Sequence, residues 1–346
     1  MTNNQYSSFL EKLRLPTTFL LDGAMGTRLA KLASLAMNNE QLKINNEHPQ
    51  DKPSSSPRGG REWAAVLSIH RSYLLSGADM IRTATFGSQP LPLPKGMRPA
   101  GTDLPNREAC LLARRAVAGY EALHPGAHRY VAGSVGPTAW CCEDKAFCEA
   151  HRLEHIAPDS LAEAYADQAA ELIESGVDAI MLETMTCAAN ARAALSGVRQ
   201  AVAGVGRGVP VMLSFLLGEG GAVGMTLADI LDLLDSDVCQ GIVSVGINCC
   251  DISGWRTGSA ERTGRTGRTG NVAFVLSELR RLTRLKISLC PSAGLPLPDG
   301  SYPLSPSSFR SAMRYFVEQG LVDIVGGCCG TGPEHIKNLF ELRVKN

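Results

Sequence analysis

The chain has 346 residues, 44% of them hydrophobic and 20% charged, a globular composition long enough for one large α/β domain or two smaller ones. Lysine plus arginine and aspartate plus glutamate both total 34, so no net field favours nucleic acid or an anionic membrane, and a small neutral or zwitterionic substrate fits better. The N-terminus MTNNQYSSFLEKLRLP carries no basic-then-apolar leader and no long apolar run follows, which reads as a soluble cytoplasmic protein whose eleven cysteines are reduced, with clusters such as Cys249-Cys250 and Cys328-Cys329 read as metal or catalytic groups rather than disulfides.

In chain order, the first predicted strand is TFLLDGAM (18–25), ending in Asp22-Gly23. A Pro/Ser/Gly-rich insertion (48–60) and a helical pattern, WAAVLSIHRSYLLSG, lead to the second strand, DMIRTATF (79–86), which passes Arg82, Thr83 and Thr85. A second insertion (91–105) and the helix NREACLLARRAVAGYEAL precede RYVAGSVG (129–136), with Gly133-Ser134 at its end. The vicinal pair Cys141-Cys142 follows in a loop, then the helix PDSLAEAYADQAAELIESG. The fourth strand, DAIMLETM (178–185), carries Glu183-Thr184.

After the helix CAANARAALSGVRQAV come PVMLSFLL (210–217), the helix TLADILDLLD, and IVSVGINC (242–249) with Asn248-Cys249-Cys250 at its end. A third insertion (254–271) contains ERTGRTGRTG, whose spaced arginines lack interleaved aromatics and read as a solvated loop. The helix VAFVLSELRRL, the strand KISLCPSAG (286–294), the helix PSSFRSAMRYFVEQG, the strand VDIVGGCC (322–329) and the helix PEHIKNLFELRVK complete the chain. Gly77, Gly176 and Gly320 stand where helix C-termini want a left-handed residue.

The strands are almost wholly apolar, as expected when both faces of a parallel sheet are covered. Eight βα units fit a (β/α)8 TIM barrel, for which about 250 residues is typical, with the surplus in the three insertions and the whole of 1–346 as a single domain. Barrel enzymes place their chemistry at strand C-termini, so Asp22, Thr83, Ser134, Glu183, Asn248 and the cysteines should share one face.

Cys328 and Cys329, set among glycines, could supply two thiolate ligands to Zn2+, and a third would come from Cys249 or Cys250 across the mouth. Three protein ligands leave a fourth position for substrate, a catalytic layout. Isolated cysteines such as Cys110, Cys187 and Cys239 read as buried core thiols. Asp22 and Glu183 could accept charge-assisted hydrogen bonds from an α-ammonium, while Gly23, Gly133 and Gly294 would let backbone N–H groups approach a carboxylate. A zwitterionic amino acid is the matching guest.

LLDGAMGT (20–27), GADMIRTATF (77–86), GSVGP (133–137), MLETM (181–185), GINC (246–249) and GGCCGT (326–331) together resemble the homocysteine S-methyltransferase family, which includes betaine- and S-methylmethionine-dependent enzymes and the homocysteine module of cobalamin-dependent methionine synthase. The resemblance runs from the first strand to the last and implies a TIM barrel with zinc held by Cys249, Cys328 and Cys329. It also implies that Asp22 and Glu183 take the homocysteine amine and that the Gly23 backbone approaches the substrate. A free thiol titrates near pH 8.5, and coordination to zinc deprotonates it; the implied reaction is in-line attack by that sulfur on the methyl of an onium donor, giving methionine.

Two departures from the family pattern stand out: Pro291-Ser292-Ala293-Gly294 replaces an Asn-Ser-Gly after the seventh strand, and Arg82 stands where the betaine enzyme has Gln. With 5% aromatic residues the chain offers little for a quaternary-ammonium cage, and cobalamin chemistry would call for further domains. The expected donor is therefore a sulfonium, S-methylmethionine first and S-adenosylmethionine second, acting on homocysteine in a monomer. Betaine as donor, a selenol acceptor, a redox disulfide and a catalytically inactive barrel are the alternatives.

Overall fold

A computed structural model of the chain describes residues 4–38, 60–91, 105–218, 224–253 and 268–343. The three predicted insertions, and with them most of the RTG repeat, lie almost entirely outside the described residues.

The strands are β1 (Phe19–Leu20), β2 (Met80–Arg82), β3 (Tyr130–Val135), β4 (Trp140–Cys141), β5 (Glu154–His155), β6 (Ala179–Met185), β7 (Val211–Phe215), β8 (Ile242–Asp251), β9 (Lys286–Ser292) and β10 (Ile324–Val325). The α-helices are α1 (Asn4–Arg14), α2 (Gly26–Asn38), α3 (Gly60–Leu75), α4 (Asn106–Leu123), α5 (Lys145–His151), α6 (Pro158–Glu174), α7 (Ala188–Val205), α8 (Leu227–Leu234), α9 (Arg268–Leu282), α10 (Pro306–Glu318) and α11 (Pro333–Phe340). Each of the eight predicted strands is present, and each predicted helix overlaps an observed one.

Eight strands form one parallel sheet in the order β1-β10-β9-β8-β7-β6-β3-β2. The ring closes between β1 and β2: Leu21 and Met80 make a parallel bridge, Asp22 N–H donates to the Met80 carbonyl at 3.1 Å, and Asp79 N–H donates to the Leu20 carbonyl at 2.7 Å. This is a (β/α)8 barrel. The small parallel pair β4–β5 lies outside it, as a separate two-stranded sheet that the sequence reading took for loop.

Strand alternation explains why runs apolar at every position still sort their side chains. Leu20, Ile81, Val131, Ile180, Leu182, Leu213, Leu289 and Val325 pack outward under the helices. Their neighbours Phe19, Leu21, Met80, Tyr130, Ala132, Ala179, Met181, Met212, Cys290 and Ile324 form a second cluster inside the ring. Helix α1, which the sequence reading did not anticipate, brings Phe9 and Leu13 into that inner cluster; the Phe9 ring meets Phe19 edge-on at 5.8 Å and Tyr130 at 5.3 Å. Burial of one such aromatic side chain contributes about 2–3 kcal/mol. The predicted C-terminal turns at Gly77, Gly176 and Gly320 have φ of +97°, +95° and +63°.

Candidate functional site

The period-2 pleat that points Met80, Ala132 and Met181 into the barrel also points Arg82, Ser134 and Glu183 inward, two residues further along the same strands. They form a polar layer at the C-terminal end. Arg82 bridges the two acids: Nε donates to Asp22 Oδ1 at 2.7 Å, its backbone N–H donates to Asp22 Oδ2 at 2.9 Å, and Nη1 donates to Glu183 Oε2 at 2.8 Å. Nη2 donates to the carbonyls of Gly327 at 2.8 Å, Gly23 at 3.1 Å and Asp22 at 3.2 Å. The other Glu183 oxygen, Oε1, accepts from Ser134 Oγ. Thr83 Oγ1 accepts from Ser134 N–H at 3.0 Å and donates to Thr85 Oγ1, which donates in turn to the Ser134 carbonyl at 2.7 Å.

All three charged groups are buried. Burial pushes the Asp22 carboxyl above its usual range, with the Arg82 guanidinium pulling the other way. Burial also works against the charged form of Arg82, but Asp22 and then Glu183 overcome it and hold the guanidinium charged.

Two breaks in strand geometry complete the site. Simple alternation along β8 would send Asn248 inward and Cys249 outward. Instead Cys249 has φ of +54°, the β8–β9 register shifts between Asn248 and Asp251, and Cys249 joins the cavity lining. On β6, Thr184 has φ of +65°, uncommon for a β-branched residue, at a matching register shift between Leu182 and Met185. Asn248 secures the second break: its Oδ1 accepts from Thr184 N–H and Ser214 Oγ, each at 3.0 Å, and its Nδ2 donates to Thr184 Oγ1 at 2.6 Å. Asn248 is itself fully buried behind the cavity wall, while Cys250 packs into the outer core.

The sulfurs of Cys249, Cys328 and Cys329 converge, with separations of 2.6 Å (Cys249–Cys328), 3.9 Å (Cys328–Cys329) and 4.0 Å (Cys249–Cys329). Among the described residues this is the one group of three or more potential ligands clustered closely enough to hold a metal ion. Cys329 is pushed down by hydrogen bonds from Cys249 and then Cys328, with Ser292 and Tyr302 adding to the effect. Cys328 is held far above the usual thiol value by its hydrogen bonds to Cys249 and then Cys329, and by burial.

These groups open into a cavity of about 460 Å3 lined by Asp22, Gly23, Arg82, Thr83, Ser134, Glu183, Cys249, Cys328 and Cys329, among others. Eight of the nine predicted site residues therefore share one cavity with Arg82, and Asn248 sits directly behind them. Gly133 instead packs against Leu172 and Ile180, and Gly294 against Pro303. The sequence reading missed Tyr302, whose ring covers Gly330 and whose hydroxyl contacts Cys329 and Thr27. It also missed Met25, Gly26 and Thr27, which bring the first turn of α2 to the cavity. A lone tyrosine in the polar stretch after β9 gave no periodic signal.

A model of the homocysteine S-methyltransferase family matches residues 19–342, nearly the whole chain. The chain belongs to that family. Three crystal structures of the Escherichia coli homocysteine methyltransferase MmuM share the fold. Its metallated form is 22% identical, with 97% of this chain and 99% of that one covered and a TM-score of 0.61. The apo form is 23% identical over 98% and 100% of the two chains, with a TM-score of 0.59, and the oxidized form 21% identical over 98% and 99%, with a TM-score of 0.62. Membership in the homocysteine S-methyltransferase family makes this chain a methyltransferase and homocysteine the acceptor at family level. No described helix is long and apolar enough to cross a membrane.

Proposed function

We propose that this chain transfers a methyl group from a sulfonium donor, S-methylmethionine or S-adenosylmethionine, to the thiol of homocysteine, with Zn2+ held by Cys249, Cys328 and Cys329. The observation that carries this reading is the convergence of three cysteine sulfurs on the wall of a cavity that two carboxylates, Asp22 and Glu183, also line. The donor set suits zinc: thiolates are its preferred ligands, and two of the three sulfur separations, 3.9 and 4.0 Å, match the roughly 3.8 Å edge of a tetrahedron with about 2.3 Å Zn–S bonds, while the third, Cys249 to Cys328 at 2.6 Å, would have to widen around the ion. Zinc at this position would deprotonate the acceptor thiol at neutral pH and leave it electron-rich, because three protein thiolates already neutralise the ion.

The protein's own groups orient the acceptor. Asp22 and Glu183 bring two negative charges and Arg82 one positive, so the layer keeps a net negative charge for an α-ammonium, which would add to the lone pairs Arg82 and Ser134 leave free. The acceptor carboxylate would face the first turn of α2, where unpaired backbone N–H groups favour an anion. Asn248 holds Thr184, and with it the wall beside Glu183, in place.

A sulfonium is favoured over betaine because, among the described residues, Phe86 and Tyr302 are the cavity's aromatic residues, with Phe215 fully buried and Trp140 away from the lining, and a quaternary ammonium calls for an aromatic cage. The test is metal analysis of the purified protein together with methionine formation from homocysteine and S-methylmethionine, S-adenosylmethionine or betaine in turn. Stoichiometric zinc and turnover with a sulfonium are expected. Turnover with betaine alone would overturn the donor assignment, and full turnover by metal-free protein would overturn the zinc site.

A further inference from the structure

A second group of cysteines lies outside the cavity. Cys141 ends β4, Cys148 lies in α5, and Cys187 caps the N-terminus of α7; all three are buried, free, and packed together with Phe147 and Leu153. The sulfurs of Cys141 and Cys187, 46 positions apart in sequence, lie 3.5 Å from one another. We propose that Cys141 and Cys187 form an oxidative modification site, a dithiol that a small peroxide converts to a disulfide.

Several observations select this pair. The Cys141 sulfur is positioned as an acceptor, with the Cys187 thiol at 3.5 Å and the Glu143 backbone N–H also at 3.5 Å. Those contacts, the Cys187 hydrogen bond foremost, bring its acidity down to about 7, so a large share is thiolate at neutral pH. Cys148 has other partners: its thiol donates to the carbonyls of Cys141 at 3.6 Å and Glu143 at 3.5 Å. Metal binding is not the reading here, since Cys141, Cys148 and Cys187 do not form a compact group of ligand atoms of the kind that Cys249, Cys328 and Cys329 form.

The surroundings hold both sulfur-bearing segments in register. Asn190, in the first turn of α7, accepts from Cys142 N–H at 2.9 Å and donates to the Trp140 carbonyl at 2.8 Å, and Glu143 Oε1 accepts from Ala189 N–H at 3.2 Å. The start of α7 is thus clamped to β4 by three hydrogen bonds beside the two sulfurs. Bond formation needs the sulfurs to approach from 3.5 Å to about 2.05 Å.

The chemistry balances with the peroxide as oxidant. The Cys141 thiolate attacks one peroxide oxygen, the O–O bond breaks, and the departing hydroxide takes a proton to become water, leaving a sulfenic acid on Cys141. The Cys187 sulfur then attacks the sulfenic sulfur; the S–O bond breaks, the S–S bond forms, and a second water leaves with the Cys187 proton. Both sulfurs are oxidised and the peroxide is reduced to two waters. The resulting link would join the segment after β3, which carries Ser134, to the segment after β6, four residues beyond Glu183.

The test treats the purified, metal-containing full-length protein with stoichiometric hydrogen peroxide, blocks remaining thiols with an alkylating agent, and maps peptides by mass spectrometry without reduction. The expected result is a Cys141–Cys187 crosslinked peptide, lost on reduction and absent from a Cys187→Ser variant, in which a sulfenic acid probe labels Cys141 instead. A Cys142→Ser background assigns the sulfur within the vicinal pair. Full alkylation of both Cys141 and Cys187 after peroxide overturns the proposal, as does a crosslink confined to Cys249, Cys328 and Cys329 or one joining Cys187 to Cys142. Because the first measurement uses the unaltered chain, it decides the matter even where a variant folds poorly.

Discussion

The Arg82 guanidinium and the Asp22 carboxylate meet edge to edge, Nε to Oδ1 at 2.7 Å, while the backbone N–H of the same arginine holds Oδ2 at 2.9 Å. One residue thus fixes both oxygens of an acid at the end of the neighbouring strand and reaches Glu183 with its remaining arm. Desolvating three charges is costly, and mutual pairing is what makes their burial tolerable.

Arg82→Met should therefore destabilise the protein by about 3–5 kcal/mol, because two buried carboxylates lose their shared counter-ion. The sign with pH follows from Asp22, whose folded-state acidity is already shifted upward by burial and would shift further without Arg82. A carboxyl with a raised folded-state value binds its proton more readily folded than unfolded, so the deficit should shrink as pH falls from about 8 to about 5. Urea unfolding at both values checks this. An equal deficit at both would mean that lost packing, rather than charge, is responsible.

Cys328→Ser removes a sulfur that contacts both other members of the trio. Zinc affinity should fall by more than the roughly 10–100-fold typical of losing an outer-shell partner. Circular dichroism should stay native, since the barrel core is built from apolar layers that do not include Cys328. Added zinc should raise the melting temperature of the unaltered protein and leave that of the variant much less changed. An unchanged zinc response in the variant would remove Cys328 from the ligand set.

What could be read ahead of the structure follows from regular periodicity. Apolar runs bounded by turn residues located all eight barrel strands, and the rule that strand C-termini share one face brought Asp22, Thr83, Ser134, Glu183 and the cysteines together. The positive-φ breaks at Thr184 and Cys249 lay beyond that logic, because alternation alone directs Cys249 outward. Neither Thr nor Cys advertises a left-handed backbone as glycine does. Cys187 was read as an isolated thiol because its partner is 46 positions away, and only the β4–α7 clamp brings them together. Arg82 was visible as an extra charge, but its bridging of both acids depends on β2 and β6 pointing it and Glu183 into the same layer.

Asn248→Ala should test how the break at Thr184 is held. The substitution strands the Thr184 N–H and the Ser214 hydroxyl, each of which donates to Asn248 Oδ1 at 3.0 Å in a buried setting. Leaving buried donors unmade costs about 1–3 kcal/mol each, so a loss of about 2–4 kcal/mol is expected once relaxation is allowed for. Because Cys249 is the next residue and Thr184 lines the same cavity, KM for homocysteine and zinc affinity should both worsen. A purely global destabilisation with unaltered zinc affinity would show that the break at Cys249 is held independently of Asn248.

Gly330→Ala should expose the coupling between the turn after β10 and Tyr302. Gly330 has φ of +78°, and a Cβ there would lie 2.1 Å from Tyr302 Cγ, well inside contact distance. The left-handed backbone alone should cost about 1–2 kcal/mol with a side chain present. The clash adds to this by driving the ring away, and with it the hydroxyl that contacts Cys329 and Thr27. The two contributions separate in a double-mutant cycle with Tyr302→Ala, where the ring is already gone. In that background Gly330→Ala should retain only the backbone term, giving a coupling energy of about 1 kcal/mol or more by denaturant unfolding. Additive effects would mean that the turn yields without moving Tyr302, and zinc affinity would then be unaffected by Gly330→Ala alone.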